Sequence, residues 1–100
     1  MYRFTRTVTV KHVASMPDAV KMGMSVIEHL RKEYGMSLSM GVEVYGQSKV
    51  HYYNDFESLD KVAEMQSKLL QDKAYLSIIE AGRSLFIEGS LHDKLVKLLV

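Results

Sequence analysis

The feature that most narrows the fold is a switch between two residue periods. Segments that alternate polar and apolar residues, the repeat of a half-buried strand, are interrupted by segments whose apolar residues recur at helical spacing. From Tyr2 to about Val13, Phe4, Val8 and Val10 point one way, and Thr5, Thr7, Thr9 and Lys11 the other. Residues 37–45 repeat the alternation, with Leu38, Met40, Val42 and Val44 on one face and Ser39, Gly41, Glu43 and Tyr45 on the other. Gly46-Gln47 breaks it, and Ser48 to Phe56 resumes with Val50 and Tyr52 opposite Lys49, His51 and Tyr53. Two strand patterns around a Gly-containing break predict an antiparallel hairpin. A last strand is expected over roughly Leu91 to Val100.

Helical segments separate these strands. Ser15, Pro17 and Asp18 make an S-x-x-D start, and Val20, Gly23, Met24, Ile27, Leu30 and Tyr34 follow as an apolar stripe that ends at Gly35. A second helix is predicted from near Ser58 to about Gln71, with Leu59, Val62, Met65, Gln66 and Leu69 inward. Asp72 is positioned to cap a shorter third helix that Gly82 ends. Leu85 to Gly89 is expected as an apolar loop tucked against the core. The order β-α-β-β-α-β predicts a ferredoxin-like α+β fold, with a four-stranded antiparallel sheet and helices on one face.

One hundred residues, 47% of them apolar, make a single domain over 1–100. Thirteen basic against twelve acidic residues leave no basic stripe, so nucleic acid is not an expected partner. The absence of cysteine removes disulfides, thiolate metal sites and a thiol nucleophile. The N-terminus lacks the continuous apolar run of a signal peptide, and no stretch is long enough to span a membrane. A soluble cytoplasmic protein is the expectation.

The two sheet faces differ in kind. Phe4, Val8, Val10, Leu38, Met40, Val42, Val44, Val50 and Tyr52 belong under the helices. The other face carries Thr5, Thr7, Thr9, Ser39, Gly41, Glu43, Tyr45, Lys49, His51 and Tyr53. It holds fewer charges than a sheet facing bulk water and fewer aliphatic groups than a sandwich core. A second copy of the chain covering it, in a homodimer that encloses a shared chamber, fits that composition.

This pattern resembles the dimeric α+β-barrel superfamily, in particular its NIPSNAP and antibiotic-biosynthesis-monooxygenase-like branches. The resemblance spans nearly the whole chain. It is most specific in Asp72-Lys73-Ala74-Tyr75 and in Leu85-Phe86-Ile87-Glu88-Gly89-Ser90-Leu91-His92-Asp93-Lys94-Leu95. It implies a barrel of two sheets, one per subunit, with a pocket between sheet and helices. The superfamily includes cofactor-free oxygenases of aromatic polyketides, haem-degrading enzymes, and decarboxylating or isomerising enzymes. Its haem-degrading members use tryptophan, asparagine and histidine; this chain has no tryptophan and only Asn54, so haem is not an expected ligand.

Among residues that can carry chemistry, His51 and Tyr53 share the polar face of one strand, with Glu43 and Tyr45 across the hairpin. A histidine beside a phenol can move a proton at an acidic carbon or hydroxyl, which makes His51 and Tyr53 the candidate catalytic pair. Hydrogen bonding across a dimer seam accounts for the same residues without catalysis and is the favoured reading of the pair. Thr7, Thr9, Tyr45, Glu43 and His12 are the candidate ligand contacts, His12 at a pocket mouth. His29 reads as plain surface, and neighbours His92 and Asp93 point to opposite faces of a strand. The histidines lack metal spacing, no P-loop or nucleophile elbow occurs, and no cofactor is expected. Met22, Met24, Met36, Met40 and Met65 read as flexible core filler ahead of pocket lining. Two functions fit: a cofactor-independent monooxygenase-like or isomerase-like enzyme acting on a small aromatic or enolisable molecule, and a non-catalytic dimerisation or ligand-sensing module.

Overall fold

The computed structural model describes all 100 residues. Strand β1 (Tyr2–Thr9) leads through a 3-10 turn at Val13–Ser15 into helix α1 (Met16–Tyr34). The hairpin β2 (Ser39–Val42) and β3 (Lys49–Phe56) follows, then α2 (Leu59–Leu70), α3 (Lys73–Ala81) and β4 (His92–Lys97). The four strands form one antiparallel sheet in the order β2-β3-β1-β4. This is the ferredoxin-like α+β arrangement that the residue periods predict.

Register explains how the pattern specifies the faces. Val8 sits opposite Val50, and Val50 opposite Val42, so one apolar row crosses three strands. Val10, Ala19, Val50 and Tyr52 form the core beneath α1, with Val8, Met16, Leu38, Met40 and Phe86 packed around them. The buried stripe of α1 runs through Ala19, Gly23, Val26 and Leu30; Gly23 and Leu30 fall where predicted, while Ala19 and Val26 take the places expected of Val20 and Ile27. Small residues explain the offset. A Cβ at Gly23 would collide with the Met40 sulfur and stand 2.9 Å from the Tyr52 hydroxyl, so α1 approaches the sheet over Ala19 and Gly23, while Met24 is 58% exposed.

Several local expectations shift. Ser15 makes no side-chain cap, because the 3-10 turn leads directly into α1; Ser58 and Asp72 do cap, accepting from the Lys61 and Tyr75 amides. Gly35 closes α1 in the left-handed conformation, at φ 67°. The β2 pattern ends at Val42, leaving Val44 and Tyr45 in a bend and almost fully exposed, outside the helix-facing layer. Strand β4 is narrower than its sequence limits and exposed along its whole length.

Burial is sparse for a chain of this size. Only 11 of 100 residues are buried. The deficit arises in two places: a cavity stands between the sheet and the helices, and the opposite sheet face is uncovered.

Candidate functional site

Helices α2 and α3 stand off the sheet instead of lying flat on it. The space they leave is a cavity of about 1020 Å³, at the upper end of the size of small-molecule sites. Its walls are apolar. Phe4, Val8 and Phe56 come from the sheet, Val26 and Leu30 from α1, Val62, Met65 and Leu69 from α2, and Ile79 from α3. Met22 and Met65 belong to this lining, which corrects their reading as core filler, and Met36 both lines it and packs against the Val26–Leu30–Tyr75 core.

The floor is polar and built from strand alternation. In β1 the position between Phe4 and Val8 is Arg6, so the guanidinium points toward the helices with them. It lies opposite Tyr52 on one side and Asp93 on the other. Arg6 Nε donates to Asp93 Oδ1 at 2.8 Å and Nη2 to Oδ2 at 3.0 Å, while Nη1 donates to the Tyr75 hydroxyl at 3.3 Å. The paired Asp93 carboxylate raises the Arg6 pKa above its ordinary value. Burial raises that of Tyr52, which keeps its phenol neutral.

Asn54 completes the floor. It is 8% exposed and lines the cavity, yet its amide makes a single hydrogen bond, a 3.5 Å contact from Nδ2 to the Asp55 carbonyl. Buried amides normally find several partners. The Tyr75 oxygen accepts from Arg6, which leaves its own proton free for another acceptor. The floor thus holds hydrogen-bonding capacity that the protein does not use.

A second polar cluster braces the cavity wall. His29 Nε2 lies 2.7 Å from Asp72 Oδ2, the Tyr34 hydroxyl donates to the same oxygen at 2.5 Å, and the Tyr75 amide donates to Oδ1 at 2.9 Å. These bonds tie α1 to the α2–α3 junction. They correct the reading of His29 as plain surface. Hydrogen bonds from Tyr34, the Tyr75 amide and His29 hold the Asp72 carboxyl well below the usual range, and Asp72 pushes the Tyr34 phenol up to about 12.

The residues singled out from sequence lie elsewhere. None of His51, Tyr53, Tyr45, Glu43, His12, Thr7 and Thr9 lines the large cavity. His51 and Tyr53 do come together on the helix-free face, rings stacked at 6.1 Å and 7°. His51 Nε2 lies 3.0 Å from Glu43 Oε1, and this contact is the first cause that lowers the Glu43 pKa; the Gln47 backbone N–H also donates to Glu43 Oε2. Tyr45 is 93% exposed and apart from them, and His12 is exposed beyond the end of β1. Thr7 donates to the His92 carbonyl at 3.4 Å, and the Thr9 amide to Ser90 Oγ. No three His, Asp or Glu side chains converge as a metal-binding group.

No protein-family model matches the sequence, nor does any curated protein. Solved structures do match. A NIPSNAP family protein of unknown function from Agrobacterium tumefaciens superposes with TM-score 0.81 at 24% identity, over 98% of this chain and 87% of that one. The fold is that of NIPSNAP proteins. A second NIPSNAP family protein from the same organism gives TM-score 0.75 at 19% identity, over 96% and 90%. An antibiotic biosynthesis monooxygenase gives 0.74 at 7% identity, with both chains fully covered. The NIPSNAP and monooxygenase likeness stated from sequence is therefore upheld for the architecture; identities this low carry the fold and not the chemistry.

Proposed function

We propose that this chain is a small-molecule-binding protein whose working site is the cavity between the sheet and helices α2 and α3. The observation that carries the reading is Asn54, a buried side-chain amide turned into an apolar chamber with its bonding capacity largely unspent. The unbonded side of the amide is accessible from the cavity, where a polar ligand atom can take the place of solvent. The ligand class is a compound with a large apolar, aromatic-compatible body and one polar end. A cofactor-independent oxygenase-like or isomerase-like reaction is the catalytic form of this reading, with the Tyr75 and Tyr52 hydroxyls as the proton-handling groups. A ligand-sensing module is the non-catalytic form.

The reading is tested by native mass spectrometry of protein purified from cells without denaturation. A retained small molecule that disappears in Asn54→Leu supports it, and bare chains in both samples count against it. Turnover of a quinol by the metal-free protein, lost in Tyr75→Phe with the fold intact, selects the catalytic form.

A homodimer through the helix-free face belongs to the same proposal. The chain exposes 6959 Å², roughly 1,200 Å² more than a monomer of its mass is expected to expose. Part of that excess lines the cavity and part is the uncovered sheet face, and one partner of a standard interface contributes about 800 Å². Covering that face would also bury the stacked His51–Tyr53 pair and its Glu43 brace. That arrangement favours a second reading, in which His51, its Nε2 occupied by Glu43 and its Nδ1 left free, acts as a base at the dimer seam. Thr7, Thr9, Tyr45 and His12 serve that reading as contacts. Loss of turnover in His51→Ala, with turnover kept in Tyr75→Phe, would move the site there.

A further inference from the structure

Two of the three basic side chains around the cavity already have acidic partners. Arg6 is gripped by Asp93 through two bonds of 2.8 and 3.0 Å. At the rim, Arg83 stands 3.7 Å from Glu80 and 3.8 Å from Glu88. The lining also includes the exposed Lys11, which has no ion-pair partner and lies beyond the end of β1, apart from the Arg6 fork. An arginine in a mostly apolar site ordinarily announces a carboxylate or phosphate ligand. Here the fork that would take that anion is already filled by Asp93 from the neighbouring strand.

What remains available on the floor is neutral. Tyr75 has a free hydroxyl proton, because its oxygen accepts from Arg6. Asn54 presents both an amide donor and a carbonyl acceptor. We infer that the cavity selects an uncharged ligand whose polar end is a neutral oxygen or nitrogen function, such as a phenol, ketone, quinone or amide, and rejects carboxylates and sulfonates. The inference rests on the cavity being the binding site. An anionic head would meet no free cation on the floor and would have to give up its water beside the Asp93 carboxylate, a desolvation that nothing there offsets.

Two fluorescent probes of one skeleton test this. N-phenyl-1-naphthylamine is neutral, and 8-anilinonaphthalene-1-sulfonate carries the same rings with a sulfonate. Titrated into the intact protein, the neutral probe is expected to bind about tenfold more tightly or better. In Asp93→Asn the Arg6 fork is released, and the preference is expected to narrow or invert as the sulfonate gains. Equal or tighter sulfonate binding by the wild type overturns the inference while leaving the cavity a binding site. Binding of neither probe overturns the cavity reading itself, and the inference with it. Should Asp93→Asn fail to fold, the wild-type pair of titrations still decides.

Discussion

Arg6 of β1 and Asp93 of β4 are 87 residues apart and face each other across one strand boundary, joined by a two-bond fork on the helix side of the sheet. The fork pins the edge strand β4 to the floor of the cavity and places the third Arg6 nitrogen on Tyr75 of α3. It is about one-third exposed at each partner, so its worth is that of a good half-exposed pair and not a buried one. A double-mutant cycle on Arg6→Met and Asp93→Ala, read by urea denaturation, is expected to give a coupling energy of about 1 kcal/mol. A coupling indistinguishable from zero contradicts the arrangement.

Asn54 separates stability from function. Its amide makes one long hydrogen bond, so Asn54→Leu gives up little bonding and adds apolar contact at nearly the same volume. The ligand-free variant is expected to be more stable than wild type by about 1 kcal/mol, while binding of N-phenyl-1-naphthylamine falls. A clear loss of stability would mean that the amide has protein partners after all.

The Asp72 cluster makes stability depend on pH at both ends. The Asp72 pKa is depressed in the fold, so the unfolded chain takes up the proton first; the stability this supplies is complete above the ordinary aspartate value, about 3.9, and drains away as the solution is acidified below it. Tyr34 is raised to about 12, so its contribution is complete below the ordinary phenol value of about 10 and is lost as pH climbs from there. Asp72→Asn keeps an acceptor at the cap of α3. Denaturation between pH 3 and 11 is expected to show shallower slopes at both ends in that variant; unchanged acid and alkaline slopes would contradict the cluster.

Self-association should track the helix-free face. Thr5 lies opposite Tyr53 near its centre. Sedimentation equilibrium is expected to return twice the 11.4 kDa chain mass for wild type and a monomer for Thr5→Glu, which would place a charge in the buried seam. A wild-type monomer at micromolar concentration removes the dimer from the account.

The architecture was legible because each element states its own period. Phe4, Val8 and Val10 against Thr5, Thr7 and Thr9 define a strand and its faces with no knowledge of neighbours, and Gly35 and Asp72 mark helix ends by local chemistry. The cavity floor was not legible in the same way. Arg6 interrupts an apolar row and reads there as noise; its meaning depends on Asp93, which is adjacent only after β4 returns along β1. The one usable signal was a charge placed in phase with Phe4 and Val8. His29 is similar, since its partner Asp72 lies 43 residues on and on another element. The candidates chosen from sequence were the chemically conspicuous ones, His51 and Tyr53, and they do meet each other and Glu43, on the face away from the cavity. Nothing local told that apolar α2 residues such as Met65 and Leu69 would line a chamber and not fill it, because that depends on how far α2 stands from the sheet.

Methyl-resolved NMR of the protein titrated with N-phenyl-1-naphthylamine tests the central claim most directly, since it locates the ligand whatever the chemistry. The account predicts shift changes concentrated on Val26, Leu30, Val62, Leu69 and Ile79, with Val96 and the β1 threonines of the opposite face unmoved. Changes confined to Val96, Thr5 and Thr7, with the cavity methyls silent, would contradict it and put the site at the seam between two sheets.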